Sequence, residues 1–250
     1  IEKNKNNSFF CYLSFNAPHT PLQVPEKYYN MYKDLDPELG FNDDLSDFRM
    51  NEKDKKDARK IYGMVTNIDD NVGKVINKLK ELKIEEETII IFMTDNGPQQ
   101  IRYNSSMKGR KGTVYNGGIR VPFYIQYSEK FKESKVINKM SAHIDVLPTI
   151  LELCNLNVPN DRKIDGQSLV PLINSKSTND RFLFSYWTRR FPEKYINMSI
   201  QNDNYKLVGN NDFDSKIEEF ELYDLVEDPN ENNNIISQNI ETARSFKKEM

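Results

Sequence analysis

The stretch "IIIFMTDNGPQQ", residues 89–100, is an apolar, β-branched run that stops on Asp95-Asn96-Gly97. A buried strand needs no acid where it ends, and a turn needs only the Asn-Gly. Just upstream the period is different. Ile61, Met64, Val65, Ile68, Val72, Val75, Ile76, Leu79 and Leu82 recur at three- and four-residue steps. That spacing predicts one face of a long amphipathic helix from about Asp57 to Leu82. "KIEEET" between them reads as a short turn. "SFFCYLSF" (8–15) reads as a buried strand, and "VPFYIQY" (121–127) as another after Gly117-Gly118. Strand, helix, strand in this order predicts the α/β class, a parallel sheet with crossover helices.

Beyond this, "SAHIDVLPTILELCNL" (141–156) reads as a helix with Pro148 in its first turns. The polar "INSKSTNDR" looks like a boundary. It divides the chain into residues 1–178, an α/β part, and 179–250, a small α+β subdomain. Four short strand candidates follow ("FLFSYW", "YINMSIQ", "NYKLVG", "FELYDL"), then a helix from about Ser237, which predicts an antiparallel sheet with a helix.

Charged content of 29% and a net charge of −3 exclude a basic nucleic-acid surface, and no apolar run is long enough to span a bilayer. Cys11 and Cys154 fall in apolar segments without metal or redox spacing and are expected to be small buried hydrophobes. The chain opens without an initiator Met or signal-peptide pattern and enters a strand candidate almost at once, as a chain entered mid-protein would. The sequons at Asn104 and Asn197 are what an Asn-rich chain produces by chance.

Ligands of an open parallel sheet bind beyond the carboxyl ends of its strands, where Asp95 and Asn96 stand. A carboxylate and an amide carbonyl are hard donors, suited to Ca²⁺ or Mg²⁺. His19, between prolines in "APHTP", is carried on a stiff loop after a strand candidate. His143 beside Asp145 reads as capping or packing, and Asp69-Asp70 as a solvated helix face. In "MKGRKGTVYNGGIRVP" the glycines let backbone approach a ligand closely, and Lys108, Arg110 or Lys111 could place a cation on an anion. Spacing does not choose among the three. A hard cation, a lysine and a histidine together would neutralise an oxyanion as a sulfuryl or phosphoryl ester breaks.

At these residues the chain resembles the sulfatases of the alkaline-phosphatase-like superfamily. The resemblance runs from about Ser8 to Ile236 and is carried by "NAPHTPLQVPEKY", the helix leading into "TIIIFMTDNG", "KGTVYNGGIRVP", "HIDVLPTILELC" with "IDGQSLVPLI", "YKLV" and "ELYDLVEDPNE", in order. It implies a mixed, mainly parallel sheet flanked by helices, with a small C-terminal antiparallel sheet and helix. It implies Asp95 and Asn96 as ligands of Ca²⁺ (Mg²⁺ the alternative), and His19 as a contact to the ester oxygen and proton donor. Among the three basic residues it selects Lys111, as a sulfate ligand. It also implies hydrolysis of a glycan or small-molecule sulfate ester and an exported location, and leaves the oligomeric state open.

The sequence departs from the family pattern in two places. Asn116-Gly117-Gly118 stands where Glu-Gly-Gly is common, so any partner cation is expected to be unpaired. The formylglycine nucleophile arises from a Cys/Ser-x-Pro-x-Arg motif, which does not occur in these 250 residues. The family's acidic metal ligands before that motif are missing too. The chain alone is therefore expected to be inert. A Thr or Ser nucleophile would instead point to phosphodiester or phosphonate hydrolysis.

Overall fold

A computed structural model of the chain describes residues 1–39, 49–176, 180–189, 191–212 and 215–250. The boundary expected at 178/179 lies outside these residues, as does the middle of the 26–56 segment. The chain forms two compact units, Ile1–Ser106 with Gly117–Lys132 and Met107–Asn116 with Glu133–Met250.

In the first unit, α1 (Glu26–Tyr29) precedes the long helix α2 (Glu52–Glu81). Helix α2 begins five residues before the expected start at Asp57, because a capping box sets its start. Asn51 Oδ1 accepts the Asp54 N–H (2.9 Å), and Asp54 Oδ2 accepts the Asn51 N–H (3.3 Å). Such a cap contributes about 1 kcal/mol and needs no apolar residue nearby. Of the face that the spacing predicts, Ile61, Met64 and Leu79 are buried, Ile68, Val72, Val75, Ile76 and Leu82 are half-buried, and Val65 is 49% exposed. Asp69 and Asp70 are both exposed, and Asp70 accepts a hydrogen bond from the Tyr28 hydroxyl (2.7 Å).

Strand β1 (Ile90–Met93) pairs antiparallel with β2 (Phe123–Gln126), Ile90 opposite Gln126 and Met93 opposite Phe123. Among the described residues no strands run parallel. Residues 8–15, expected as a buried strand, form no ladder and are exposed, with Phe10 at 79% and Tyr12 at 81%. An apolar strand is buried only when neighbouring strands and covering helices flank it, and no described residues supply them. Cys11 lies in this segment and Cys154 at the open end of α4, so both cysteines are free and exposed rather than buried.

The second unit holds α4 (Val146–Leu153), led in by a 3₁₀ turn at His143–Asp145, and the short α5 (Val170–Ile173). The helix α3 (Asn116–Ile119) bridges the sequence limits of the two units. Strands β3 (Leu183–Tyr186), β4 (Met198–Gln201), β5 (Tyr205–Gly209) and β6 (Glu221–Asp224) form an antiparallel sheet in chain order, backed by α6 (Ile240–Glu249). Ile200 stands opposite Leu207 and Leu207 opposite Leu222. These three pack with Phe220, Ala243 and Phe246 into the main core. On the other face Val208 and Tyr223 meet Val114 and Tyr115 of the glycine loop, so the middle of the sheet is buried on both sides.

Candidate active site

The end of β1 is built around a close approach of two backbones. The Gly97 N–H donates to the Gly118 carbonyl (2.8 Å), and a Cβ on Gly97 would lie 1.9 Å from the Gly117 carbonyl oxygen. Only glycine fits there. The corner presents the exposed carboxylate of Asp95 and the half-buried amide of Asn96. Asn96 Nδ2 donates to the Gly97 carbonyl (2.8 Å), which leaves Oδ1 as the acceptor still available. The Asp95 carboxylate makes no ion pair among the described residues.

These are two hard oxygens in adjacent positions, right in kind for Ca²⁺, which takes about six to eight oxygen ligands. Among the described residues, no group of three or more His, Cys, Asp or Glu side chains is placed to hold a metal. The pair therefore fits as part of a ligand set, completed by other residues or water.

His19 sits in the turn closed by its N–H on the Asn16 carbonyl (2.9 Å), between cis Ala17-Pro18 and cis Thr20-Pro21 bonds. Its Nδ1 lies 2.7 Å from the Thr20 carbonyl, which can only accept. Nδ1 therefore carries the hydrogen, and Nε2 is the nitrogen able to exchange a proton. His19, Asp95 and Asn96 all belong to the first unit, and no hydrogen bond links them to one another.

Lys111 belongs to the second unit, and the three basic residues of its loop have different surroundings. Lys108 Nζ donates to Glu221 Oε2 (3.1 Å) and the Tyr223 hydroxyl (2.7 Å), and lies over the Tyr115 ring at 4.5 Å. Glu221 Oε2 also accepts from Tyr115 (2.5 Å) and Tyr223 (2.7 Å). Burial pushes the Glu221 carboxyl up, but these donors and the Lys108 charge hold it below its ordinary value. Arg110 is exposed and engages Thr113 through its backbone. Lys111 is half-buried and makes no ion pair among the described residues. Lys108 is thus committed to the fold, whereas the Lys111 ammonium is available.

The expected unpaired cation beside Asn116 is not there. The cation is Lys206 of β5, and Glu231 supplies the charge that Asn116 lacks. Lys206 Nζ lies 2.6 Å from Glu231 Oε1, both side chains fully buried, and 3.2 Å from Asn116 Oδ1. The Asn116 N–H donates to Glu231 Oε2 (2.6 Å) and its Nδ2 to the Pro229 carbonyl (2.8 Å). Burial pushes Glu231 up and Lys206 down, toward their neutral forms, while their mutual attraction opposes both shifts. Sequence reasoning singled out neither residue, although both lie in quoted motifs, "YKLV" and "EDPNE".

Asp145, noticed only as a neighbour of His143, is fully buried. Arg181 grips it with Nη1 on Oδ1 (2.8 Å) and Nη2 on Oδ2 (2.5 Å), and the Gln167 and Ala142 N–H groups complete the set. Burial raises this carboxyl, but Arg181 and the two N–H donors outweigh it and hold it below the ordinary aspartate value. A depressed carboxyl contributes stability above its unfolded pKa of about 3.9 and loses it as pH falls through the folded value. Melting curves should therefore show stability falling in acid below about pH 4. In Asp145→Asn that part of the acid dependence should vanish, with roughly 2 kcal/mol lost at neutral pH. Parallel pH profiles for the two proteins would refute the assignment.

Comparison with known proteins places the chain in a class. The backbone aligns along its full length with the structure of Ps i-CgsB in complex with k-i-k-neocarrahexaose (TM-score 0.78, 25% identity), covering 51% of that chain. It also aligns with the phosphonate monoester hydrolase of Agrobacterium radiobacter (TM-score 0.66, 20% identity; 93% of this chain, 54% of that one). The fold is that of the alkaline-phosphatase-like hydrolases.

Residues 1–156 match the Sulfatase family model, and residues 110–250 match that of the N-sulphoglucosamine sulphohydrolase C-terminal region. The chain belongs to the sulfatase family. The arylsulfatase of Clostridium perfringens is 29% identical over 258 residues, 94% of this chain and 50% of that protein. A sulfatase of Formosa agariphila is 29% identical, with 95% of this chain on 44% of that one. The chain spans about half the length of these curated relatives.

Proposed function

We propose that this chain is the C-terminal portion of a sulfuric ester hydrolase acting on a sulfated carbohydrate or aryl sulfate. The observation that carries this is the family match over residues 1–156, which include both the hard-donor corner Asp95-Asn96 and Lys111. Asp95 and Asn96 would hold Ca²⁺, or Mg²⁺ in its place. When bound, the ion would supply positive charge to the sulfate oxygens. Lys111 would neutralise a further sulfate oxygen. With both ring nitrogens protonated, His19 would hand the Nε2 proton to the departing alcohol oxygen while the Nδ1 hydrogen stays on the Thr20 carbonyl. The nucleophile is not among these residues, and formylglycine is the group the family reading expects. An exported location belongs to the same reading. Among the described residues no helix is long and apolar enough to cross a membrane.

A second reading is transfer at phosphorus on the same fold, which a phosphonate monoester hydrolase shares. The coding sequence before the Ile1 codon separates the two. An in-frame Cys- or Ser-x-Pro-x-Arg fits sulfate ester hydrolysis, and a Thr or unmodified Ser nucleophile overturns it in favour of phosphorus. In a protein carrying the nucleophile, Lys111→Ala should slow sulfate release by about 10²- to 10³-fold, measured by ion chromatography under saturating substrate. An unchanged rate would mean the wrong lysine has been chosen.

A further inference from the structure

Trp187 is the only tryptophan of the chain, and it is fixed to the loop that carries Lys111. Gly112, next to Lys111, has φ +85°. From the position a Cβ would take there, Trp187 Cζ2 is 3.3 Å away and Cε2 and Cη2 are each 3.5 Å away. Asn197 ties the two together. Its Nδ2 donates to the carbonyls of Gly112 (2.9 Å) and Trp187 (3.0 Å), and its Oδ1 accepts the Val114 N–H (3.2 Å). The Trp187 N–H donates in turn to the Asn197 carbonyl (3.2 Å).

A tryptophan held this firmly would ordinarily be core, yet Trp187 is 41% exposed and belongs to neither buried cluster. Leaving a large apolar ring in water costs free energy that burial would recover, so the open indole surface asks for an occupant. The charges around it narrow the choice. Lys111 has no carboxylate partner among the described residues, and the exposed Arg189 lies over part of the ring, its guanidinium carbon 5.5 Å from the centroid. An occupant of this place carries negative charge and also presents an apolar face.

We propose that Trp187 is a specificity-determining platform. The C–H face of a pyranose stacks on its open indole surface while the sulfate ester borne by that ring is held by Lys111. This rests on the role given to Lys111 under the proposed function. The C–H face of a sugar is apolar and carries slight positive charge, complementary to the electron-rich face of indole. A free sulfate ion has no such face. Arg189 then serves a second anionic group on the same saccharide.

The tryptophan reports its own ligand. The 250-residue chain is titrated with glucosamine 6-sulfate, glucosamine and inorganic sulfate while indole emission is followed. Calorimetry gives the affinities of Trp187→Ala, Trp187→Phe and Lys111→Ala, with melting curves to confirm that each variant folds. Glucosamine 6-sulfate should change the emission saturably, and inorganic sulfate should bind with little change. Trp187→Ala should weaken the sulfated sugar by about tenfold and leave inorganic sulfate unaffected, and Trp187→Phe should recover most of the loss. Lys111→Ala should weaken both ligands. If Lys111→Ala weakens both but Trp187→Ala binds the sulfated sugar like the wild type, the platform is wrong and the proposed function stands. If Lys111→Ala changes neither, the role of the lysine fails first. No saturable emission change with the sulfated sugar also overturns the platform.

Discussion

Asp95→Ala is expected to remove metal binding and sulfate release together in a protein that carries the nucleophile. The rate should fall by at least about 10³-fold, or ~4 kcal/mol of transition-state stabilisation. Of the two donors at the end of β1, only Asp95 brings a formal charge. Asn96 contributes a neutral carbonyl, and a doubly charged hard cation is held mainly by carboxylates. Removing this carboxylate should cost the fold little, because it is exposed and makes no ion pair among the described residues. The two effects can therefore be told apart. Equilibrium dialysis with radiocalcium should show the loss, while the melting temperature stays within about a degree or two of wild type. A variant that keeps its metal and its rate would remove Asp95 from the site. One that melts much earlier would make it structural.

Glu231→Ala should be the most destabilising single change in the second unit, by about 3–5 kcal/mol in urea unfolding. The reason is what it leaves behind. Lys206 is fully buried in the central strand β5, and its remaining partner would be the neutral Asn116 carbonyl at 3.2 Å. The Asn116 N–H, now 2.6 Å from Glu231 Oε2, would lose its acceptor as well. Replacing both charges at once, Lys206→Met with Glu231→Leu, should recover most of the loss, because no lone charge is then stranded. If Glu231→Ala costs under about 1 kcal/mol, water or another acceptor reaches Lys206 and the clamp is not what holds the glycine loop.

Local pattern carried much of the fold. The period of residues 61–82 gave the body of α2, and the four short C-terminal runs became β3 to β6 in order. Its start was misplaced because Glu52–Lys56 shows no apolar period, and only the Asn51-x-x-Asp54 box marks the beginning. Residues 8–15 failed for a different reason. Their composition is that of a buried strand, but burial depends on neighbours that composition does not contain.

At the candidate site, Asp95 and Asn96 stood out because a strand that stops on two hard donors is locally odd. Spacing could not tell Lys108, Arg110 and Lys111 apart, since what distinguishes their surroundings is the bonding of Lys108 to Glu221 and Tyr223, more than a hundred residues away. Glu231 was missed likewise: its bond to the Asn116 backbone joins positions 115 apart, and no local pattern encodes such a distance.

Asn197 heads an Asn-Met-Ser sequon, and its side-chain nitrogen is already engaged with two backbone carbonyls. Once the chain has folded, that nitrogen is not open to an oligosaccharyltransferase. In a eukaryotic secretory host the sugar would have to be attached before β4 is laid down. A chain so modified would mature without the bonds that fasten Gly112 to Trp187. The choice of expression host thus becomes a choice between two products, which intact-mass analysis of the folded fraction would tell apart at position 197.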